Sequence, residues 1–138
     1  MNILFLCVAN SARSQMAEGL AKSMLGQGHN IQSAGSIPSG EVHPNAVIAM
    51  DEIGIDIRDQ FSKSTDDLDK EFIDNLDFAI TLCAEEVCPV LPTKAKSLHW
   101  MNEDPANKTF NEVQQKAAFA KVRDDIFNLL KKFMLLHS

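Results

Sequence analysis

The residues with the clearest chemical potential are a cysteine and an arginine near the amino terminus, Cys7 and Arg13. The cysteine ends a short apolar run, and the arginine follows six residues later, after a loop of small and polar residues. Between a strand and a helix, the N–H groups of such a loop and the helix N-terminus form a cradle for a tetrahedral oxyanion, to which an arginine adds a two-pronged fork. The sequence therefore predicts an anion site whose binding residues are Val8, Ala9, Asn10, Ser11, Ala12, Arg13 and Ser14.

The same electrostatic field favours a thiolate at the start of this loop. Cysteines at helix N-termini beside a cation have pKa values well below the ordinary value of about 8.5. We expect Cys7 to be a nucleophile at neutral pH, with Ser11 and Ser14 donating hydrogen bonds to the thiolate or to the loop. A buried structural cysteine is the alternative, and the strand before the loop and the helix after it favour the functional interpretation.

Two further cysteines, Cys83 and Cys88, lie far along the chain. Cys83 directly follows an apolar run over residues 78–82, at the carboxyl end of a predicted strand. Since parallel strands end at the same edge of a sheet, Cys83 is expected near Cys7. A zinc site formed by Cys83, Cys88 and His99 has loose spacing and no evident fourth ligand, so no metal site is predicted.

Composition limits the classes of function. The chain has 138 residues, of which 45% are hydrophobic and 23% charged, as expected for a single packed domain over residues 1–138. Thirteen basic against nineteen acidic residues give a net charge of −6 without a basic cluster, which argues against nucleic acid as a partner. No apolar stretch approaches the length of a membrane span and the amino terminus does not resemble a signal peptide, so a cytoplasmic protein with reduced thiols is expected.

Apolar periodicity predicts alternating strands and helices. Strands are expected over residues 3–8, 30–34, 78–82 and 95–100. Helices are expected from residue 14 to about 26, over residues 44–52, from a start at residues 64–67, and over residues 110–136. This order favours an open, mostly parallel α/β sheet, in which ligands bind beyond the carboxyl ends of the strands.

The loop carries a family resemblance. Cys7 to Ser14, followed by Gln15-Met16-Ala17-Glu18-Gly19, resembles the phosphate-binding loop of the low-molecular-weight protein tyrosine phosphatase fold, and specifically its thioredoxin-coupled arsenate reductase branch. The resemblance implies three layers, an open sheet of four parallel strands with helices on both faces. Further matches are Ser33-Ala34-Gly35, Thr81-Leu82-Cys83, Cys88-Pro89, Leu91-Pro92, His99-Trp100, Asp104-Pro105-Ala106 and Val122-Arg123-Asp124.

The resemblance also implies a mechanism that uses all three cysteines. Cys7 would attack arsenate, Cys83 would attack the sulfur of the adduct, and Cys88 would carry the oxidation outward as a Cys83 to Cys88 disulfide. Thioredoxin would reduce that disulfide, and no tightly bound cofactor is needed. Phosphate and sulfate would compete with arsenate. Asp104 matches the aspartate that protonates the leaving group in the phosphatases, although an Asp-Pro pair is also a common turn.

Several features depart from the family or leave alternatives open. The spacer between Cys83 and Cys88 is four residues, shorter than usual in the family. If this spacer were helical, the two Cα atoms would be too far apart for a disulfide. The segment is therefore expected to loop out on oxidation. In some relatives the positions of Asn10, Glu18 and Ser33 bind a monovalent cation, for which this sequence gives no further support.

Three other activities are consistent with parts of the pattern. A tyrosine phosphatase would need an aromatic platform, yet the chain has no tyrosine, and Trp100 at a strand end is more typical of core packing. A redox sensor would use Cys83 and Cys88 as a switch but would need neither Arg13 nor Asp104. A glutathione and glutaredoxin route would need only Cys7.

Overall fold

A computed structural model describes residues 1–84 and 93–137. Each predicted strand and long helix is present, with ends within two residues of the predicted ones. The strands are β1 (Asn2–Cys7), β2 (Asn30–Gly35), β3 (Phe78–Thr81) and β4 (Lys96–His99). The helices are α1 (Arg13–Leu25), α2 (Pro44–Asp51), α3 (Lys70–Asp74) and α4 (Glu112–His137), with a 3₁₀ turn at Thr65–Asp67.

All four strands are parallel and lie in the order β2-β1-β3-β4. The central strand β1 is buried on both faces because its side chains alternate between two apolar clusters. Ile3 and Phe5 pack with residues of α1, α2 and α4, whereas Leu4 and Leu6 pack with Phe72 of α3. The predicted three-layer α/β fold with helices on both faces is therefore confirmed.

The segment after residue 63 differs from the expected helix start. Ser64 accepts a hydrogen bond from the N–H of Asp66, and the carboxylate of Asp67 accepts one from the N–H of Ser64, but the turn that they close is only three residues long. Leu68 then adopts an extended backbone with ψ 139°, which ends the turn, and α3 begins separately. Leu68 and Phe72 are nonetheless buried.

Trp100 lies among core aromatic rings rather than on a substrate platform. Its ring is 6.2 Å from that of Phe5 and 6.0 Å from that of Phe133. This packing fixes the end of β4 against α4, directly before the loop that carries Asp104. The expectation that Trp100 serves core packing agrees with these contacts.

Gly35, at the end of β2, allows the closest approach between the strands beside the anion loop. A Cβ atom there would lie 2.3 Å from the carbonyl oxygen of Val8 and 2.9 Å from that of Cys7. Only glycine fits at such distances, so this position controls the path of the chain as it leaves β1.

Two expectations fall on residues 85–92, namely the position of Cys88 and the looping out of the spacer before it, and both lie outside the described residues. Among the helices of residues 1–84 and 93–137, none has the length and apolar character needed to span a membrane.

Candidate active site

The anion loop between β1 and α1 is held by its carbonyl oxygens. Each carbonyl from residue 8 to residue 12 accepts a hydrogen bond from a group outside the loop, at 2.9–3.1 Å. This arrangement points the loop carbonyls away from the concave side of the loop. The donors are the N–H groups of Ile37, Ser39, His43 and Met16, the hydroxyl of Ser62 and the side-chain amide of Gln15.

The backbone N–H groups of the same loop differ from its carbonyl oxygens in their hydrogen bonding. Within the described parts of the chain, none of the backbone N–H groups of residues 8–12 donates to a protein acceptor. Asn10 has φ +48°, a left-handed conformation that asparagine tolerates and that helps successive N–H groups to converge. Ala12 caps α1 without a side-chain hydrogen bond, so the positive end of this helix also faces the loop. The loop is therefore a backbone cradle for an anion.

The nucleophile candidate Cys7 lies at the base of this cradle. It is a free thiol with 2% of its surface exposed, and its Sγ is 3.0 Å from the hydroxyl oxygen of Ser14. The amide nitrogen of Asn10 donates to the same hydroxyl oxygen at 2.8 Å. In the described residues the Ser14 hydroxyl has no other acceptor for its hydrogen, which is therefore available to a thiolate at Cys7. Ser11 contributes differently from expectation, since it is its carbonyl that accepts the N–H of His43.

Arg13 connects the loop to the ends of β3 and β4. Its side chain is buried, and its Nη1 donates to the carbonyl oxygen of Asn102 at 2.9 Å and to that of Leu82 at 3.5 Å. Asn102 belongs to the loop that carries Asp104, and Leu82 directly precedes Cys83. Arg13 therefore links the cradle to the loop that carries Asp104 and to the residue before Cys83.

Cys83 lies at the same edge of the sheet as Cys7, as the strand pattern predicts. β3 pairs with β1 up to Thr81 opposite Leu6, and the N–H of Leu82 donates to the carbonyl of Leu6 at 2.9 Å. Cys83 follows at once, is buried, and is disulfide-bonded, whereas Cys7 is free.

Asp104 is exposed on the loop after β4. One of its carboxylate oxygens accepts the N–H of Ala106 at 2.9 Å, so it does serve the turn that its position before Pro105 favours. The residue also lines a pocket with Ala84, which follows Cys83, and with Lys108. Asp104 therefore lines the same pocket as the residue that follows Cys83, and it is a candidate proton donor.

A second pocket between the Asp104 loop and α4 has apolar walls that the sequence alone did not reveal. Met101 and Phe110 line it together with Asp104, and both side chains are exposed. They are separated in sequence and follow no recognisable period, so no local pattern could have identified them.

His43 is a functional candidate that the sequence motifs did not single out. Its N–H donates to Ser11 of the anion loop at 2.9 Å, and its Nδ1 accepts the N–H of Asn45 at 3.0 Å, which caps α2. Burial lowers the pKa of His43, while the charges of Asp104 and Glu41 raise it. The sequence signal that could have identified His43 is its place directly before Pro44 at a helix start, because Pro is common at the first helical position and the residue before it is then the N-cap.

The protonation of His43 makes the stability of the fold sensitive to acid. Because its pKa is below the ordinary 6.5, the unfolded chain binds a proton at higher pH than the folded chain does. The free energy of unfolding should therefore fall as the pH drops below about 6.5. Asparagine keeps a cap acceptor but does not titrate. We expect His43→Asn to lose less stability than the wild type between pH 7.5 and 5.5, measured by urea unfolding.

His29 provides the control for this measurement, because its ring contacts the N-terminal amine at the opposite end of the sheet. His29→Asn should keep the wild-type acid dependence attributed to His43. Equal slopes for the wild type and His43→Asn would assign the effect to another group.

No metal centre is apparent in the described part of the chain. Residues 1–84 and 93–137 contain no cluster of three or more His, Cys, Asp or Glu side chains that could hold an ion. His99, one of the ligands considered for zinc, is 2.6 Å from the hydroxyl of Thr81, and Cys88 lies outside the described residues.

Comparison with known proteins agrees with this geometry. Residues 2–137 match the family described as low molecular weight phosphotyrosine protein phosphatase. The chain is 47% identical over 133 residues to an arsenate reductase of Bacillus subtilis, covering 95% of this chain and 93% of that protein.

Two solved structures extend the likeness. An arsenate reductase in a phosphate-binding state has a TM-score of 0.79 and 34% identity, with 99% of this chain and 98% of that chain covered. The thioredoxin-dependent arsenate reductase of Corynebacterium glutamicum has a TM-score of 0.68 and 31% identity, with 98% of this chain and 62% of that chain covered.

Proposed function

The chain belongs to the low molecular weight phosphotyrosine protein phosphatase family, and from this premise we propose that it is an arsenate reductase that draws its electrons from thioredoxin. The observation that carries the proposal is the anion loop with Cys7 at its base and Cys83 at the end of the adjacent strand. A phosphatase needs the loop and a proton donor but no second thiol. The second buried cysteine beside it suits a reaction that must deliver two electrons.

In the first step, the cradle binds arsenate through the N–H groups of residues 8–12 and the guanidinium of Arg13. The Cys7 thiolate attacks arsenic, and an S–As bond replaces one As–O bond. Asp104 protonates the departing oxygen, which leaves as water. Ser14, whose hydrogen is directed to Sγ, holds the thiolate before attack.

In the second step, the Cys83 thiolate attacks the sulfur of the Cys7 adduct. The S–As bond breaks and its electron pair remains with arsenic, so As(V) becomes As(III) and arsenite leaves. The product is a disulfide between Cys7 and Cys83. Cys88 then attacks Cys83 and releases Cys7 as a thiolate. A free Cys7 beside a disulfide-bonded Cys83 is the state expected after this transfer.

Thioredoxin completes the cycle by reducing the disulfide between Cys83 and Cys88 to two thiols. We assign the reaction to the cytoplasm, where thioredoxin keeps thiols reduced. Phosphate and sulfate have the same tetrahedral shape as arsenate and should compete for the loop without being reduced. No bound cofactor enters any step of this cycle.

Arsenate-dependent oxidation of NADPH, coupled through thioredoxin and thioredoxin reductase, tests the proposal. The reduced wild-type protein should consume about one NADPH for each arsenite formed, because each cycle transfers two electrons. Absence of turnover with thioredoxin, but activity with glutathione and glutaredoxin, would replace the relay by a route through Cys7 alone. Hydrolysis of aryl phosphates without any arsenate reduction would instead favour the phosphatase function.

A further inference from the structure

We propose that two lysine side chains, Lys22 and Lys63, supply the positive charge that the buried carboxylate of Glu18 requires, in place of a free monovalent cation. Acting through Glu18, they are positioning residues for the nucleophile Cys7. The role of Cys7 rests on the proposed function, whereas the contacts of Glu18 are independent of it.

A chain of hydrogen bonds joins Glu18 to Cys7 through buried side chains. Glu18 is 4% exposed, and its Oε1 accepts the hydroxyl of Ser33 at 2.6 Å. The side-chain nitrogen of Asn10 lies 3.0 Å from the oxygen of Ser33 and 2.8 Å from that of Ser14. The oxygen of Ser14 is 3.0 Å from the sulfur of Cys7. A carboxylate is thus connected to the nucleophile without any water between them.

The number of hydrogens that each side chain can donate determines the direction of these hydrogen bonds. Asn10 has two amide hydrogens, and it directs one to each serine. Having accepted these bonds, Ser33 donates its hydrogen to Glu18 and Ser14 donates its hydrogen to Cys7. The carboxylate of Glu18 accepts only, so it holds the hydroxyl of Ser33, while the N–H of Lys63 holds the amide of Asn10 from which Ser14 accepts.

Two ammonium groups offset the negative charge of Glu18. The Nζ of Lys22 is 2.6 Å from Oε2 of Glu18, one helical turn away on α1. Lys63 is half-buried, lines the same pocket as Glu18 and Lys22, and has its ammonium 4.9 Å from the centre of the Phe61 ring. Burial lowers the pKa of Lys63 while the charge of Glu18 raises it, as expected for an ammonium in the field of that carboxylate.

Lys63 also acts through its backbone. Its N–H donates to Oδ1 of Asn10 at 2.9 Å, which fixes the orientation of the Asn10 amide. This contact survives replacement of the lysine side chain, so a substitution at position 63 changes the charge and leaves the amide orientation in place.

Protein donors already engage the side-chain oxygens of the residues that match monovalent cation positions in some relatives. Such an ion needs oxygen lone pairs directed toward one point. Here the side-chain oxygens of Asn10 and Ser33 and both oxygens of Glu18 each accept a hydrogen bond from a protein donor. Asn10 also turns its N–H groups, which repel cations, into the network. An ion could bind only after Lys22 had withdrawn from Glu18.

The rate at which iodoacetamide alkylates Cys7 tests the inference without arsenate. The fully reduced protein is compared in potassium chloride and in choline chloride at equal ionic strength, and mass spectrometry quantifies the peptide that contains Cys7. The wild type should react equally fast in both salts at pH 7. Lys22→Met and Lys63→Met should react about three- to tenfold more slowly in choline. Potassium should restore much of the rate of Lys22→Met, in which Oε2 of Glu18 has lost its ammonium, but not that of Lys63→Met, in which Lys22 still occupies that oxygen.

Three controls separate this effect from a general loss of structure. At pH 10, above the ordinary cysteine pKa of about 8.5, all rates should agree. Lys22→Arg should behave as the wild type, because it preserves the charge. Lys70→Met removes an exposed lysine paired with Asp74 at the same helical spacing and a distance of 2.6 Å, and it should have no effect at pH 7.

A severalfold response of the wild type to potassium would overturn the inference, and this comparison needs no variant to fold. Wild-type alkylation rates for both methionine variants in choline would overturn it as well. If alkylation follows the expected pattern and arsenate is not reduced, the lysine inference stands and the proposed reaction fails.

Discussion

Cys7→Ser is expected to lower arsenate-dependent turnover by about 10⁴-fold or more, while the fold remains stable. A serine hydroxyl is a far weaker nucleophile at neutral pH, and it cannot form the disulfide through which electrons reach arsenic. The substitution hardly changes volume, and Cys7 contacts the cradle through a single hydrogen bond to Ser14. Coupled NADPH oxidation measures the loss, and thermal unfolding verifies the fold.

Ser14→Ala is the matched comparison for this variant. It removes the hydroxyl that donates to the Cys7 sulfur, and hydrogen bonds to charged groups contribute about 1.5–3 kcal/mol, so a loss of roughly 10- to 100-fold is expected. Cys7 would remain able to react with iodoacetamide. Retention of turnover by Cys7→Ser would place the nucleophile elsewhere.

Cys83→Ser should abolish multiple turnover while leaving the binding of arsenate and the reactivity of Cys7 intact. Cys83 lies two residues beyond β3, outside the cradle, and the donors to the carbonyl oxygens of residues 8–12 come from other residues. Without it, the adduct on Cys7 has no neighbouring thiolate to attack its sulfur. We expect turnover to fall by roughly 10³-fold or more, since the whole electron route is lost.

Cys88→Ser provides the control for Cys83→Ser. In a single-turnover experiment on fully reduced protein, Cys88→Ser should release about one arsenite per molecule and stop as a disulfide between Cys7 and Cys83, whereas Cys83→Ser should release none. Arsenite release by Cys83→Ser in the presence of glutathione and glutaredoxin would contradict the relay. Mass spectrometry of the non-reduced peptides identifies the disulfide.

Local patterns were sufficient for the elements and for the chemistry of the loop. The apolar run before Cys7 and the spaced apolar residues after Ser14 predict a strand and a helix, because both patterns are set by the backbone repeat of each element. The edge shared by Cys7 and Cys83 also follows from sequence, since parallel strands end on one side of a sheet. The turn at residues 65–67 was predicted less well because the burial of Leu68 competes with continuation of the helix.

Tertiary structure alone decided what surrounds the loop. The donors that turn its carbonyls outward come from residues as distant in sequence as Ile37, His43 and Ser62, and no periodicity connects them with Cys7. Lys63 and Glu18 are likewise far apart in sequence and interact only in the folded chain. Sequence therefore determined the fold class, the anion loop and the pair of thiols. Packing of separate segments decided the direction of the hydrogen bonds and the source of charge, because these depend on distances that arise only when the chain folds.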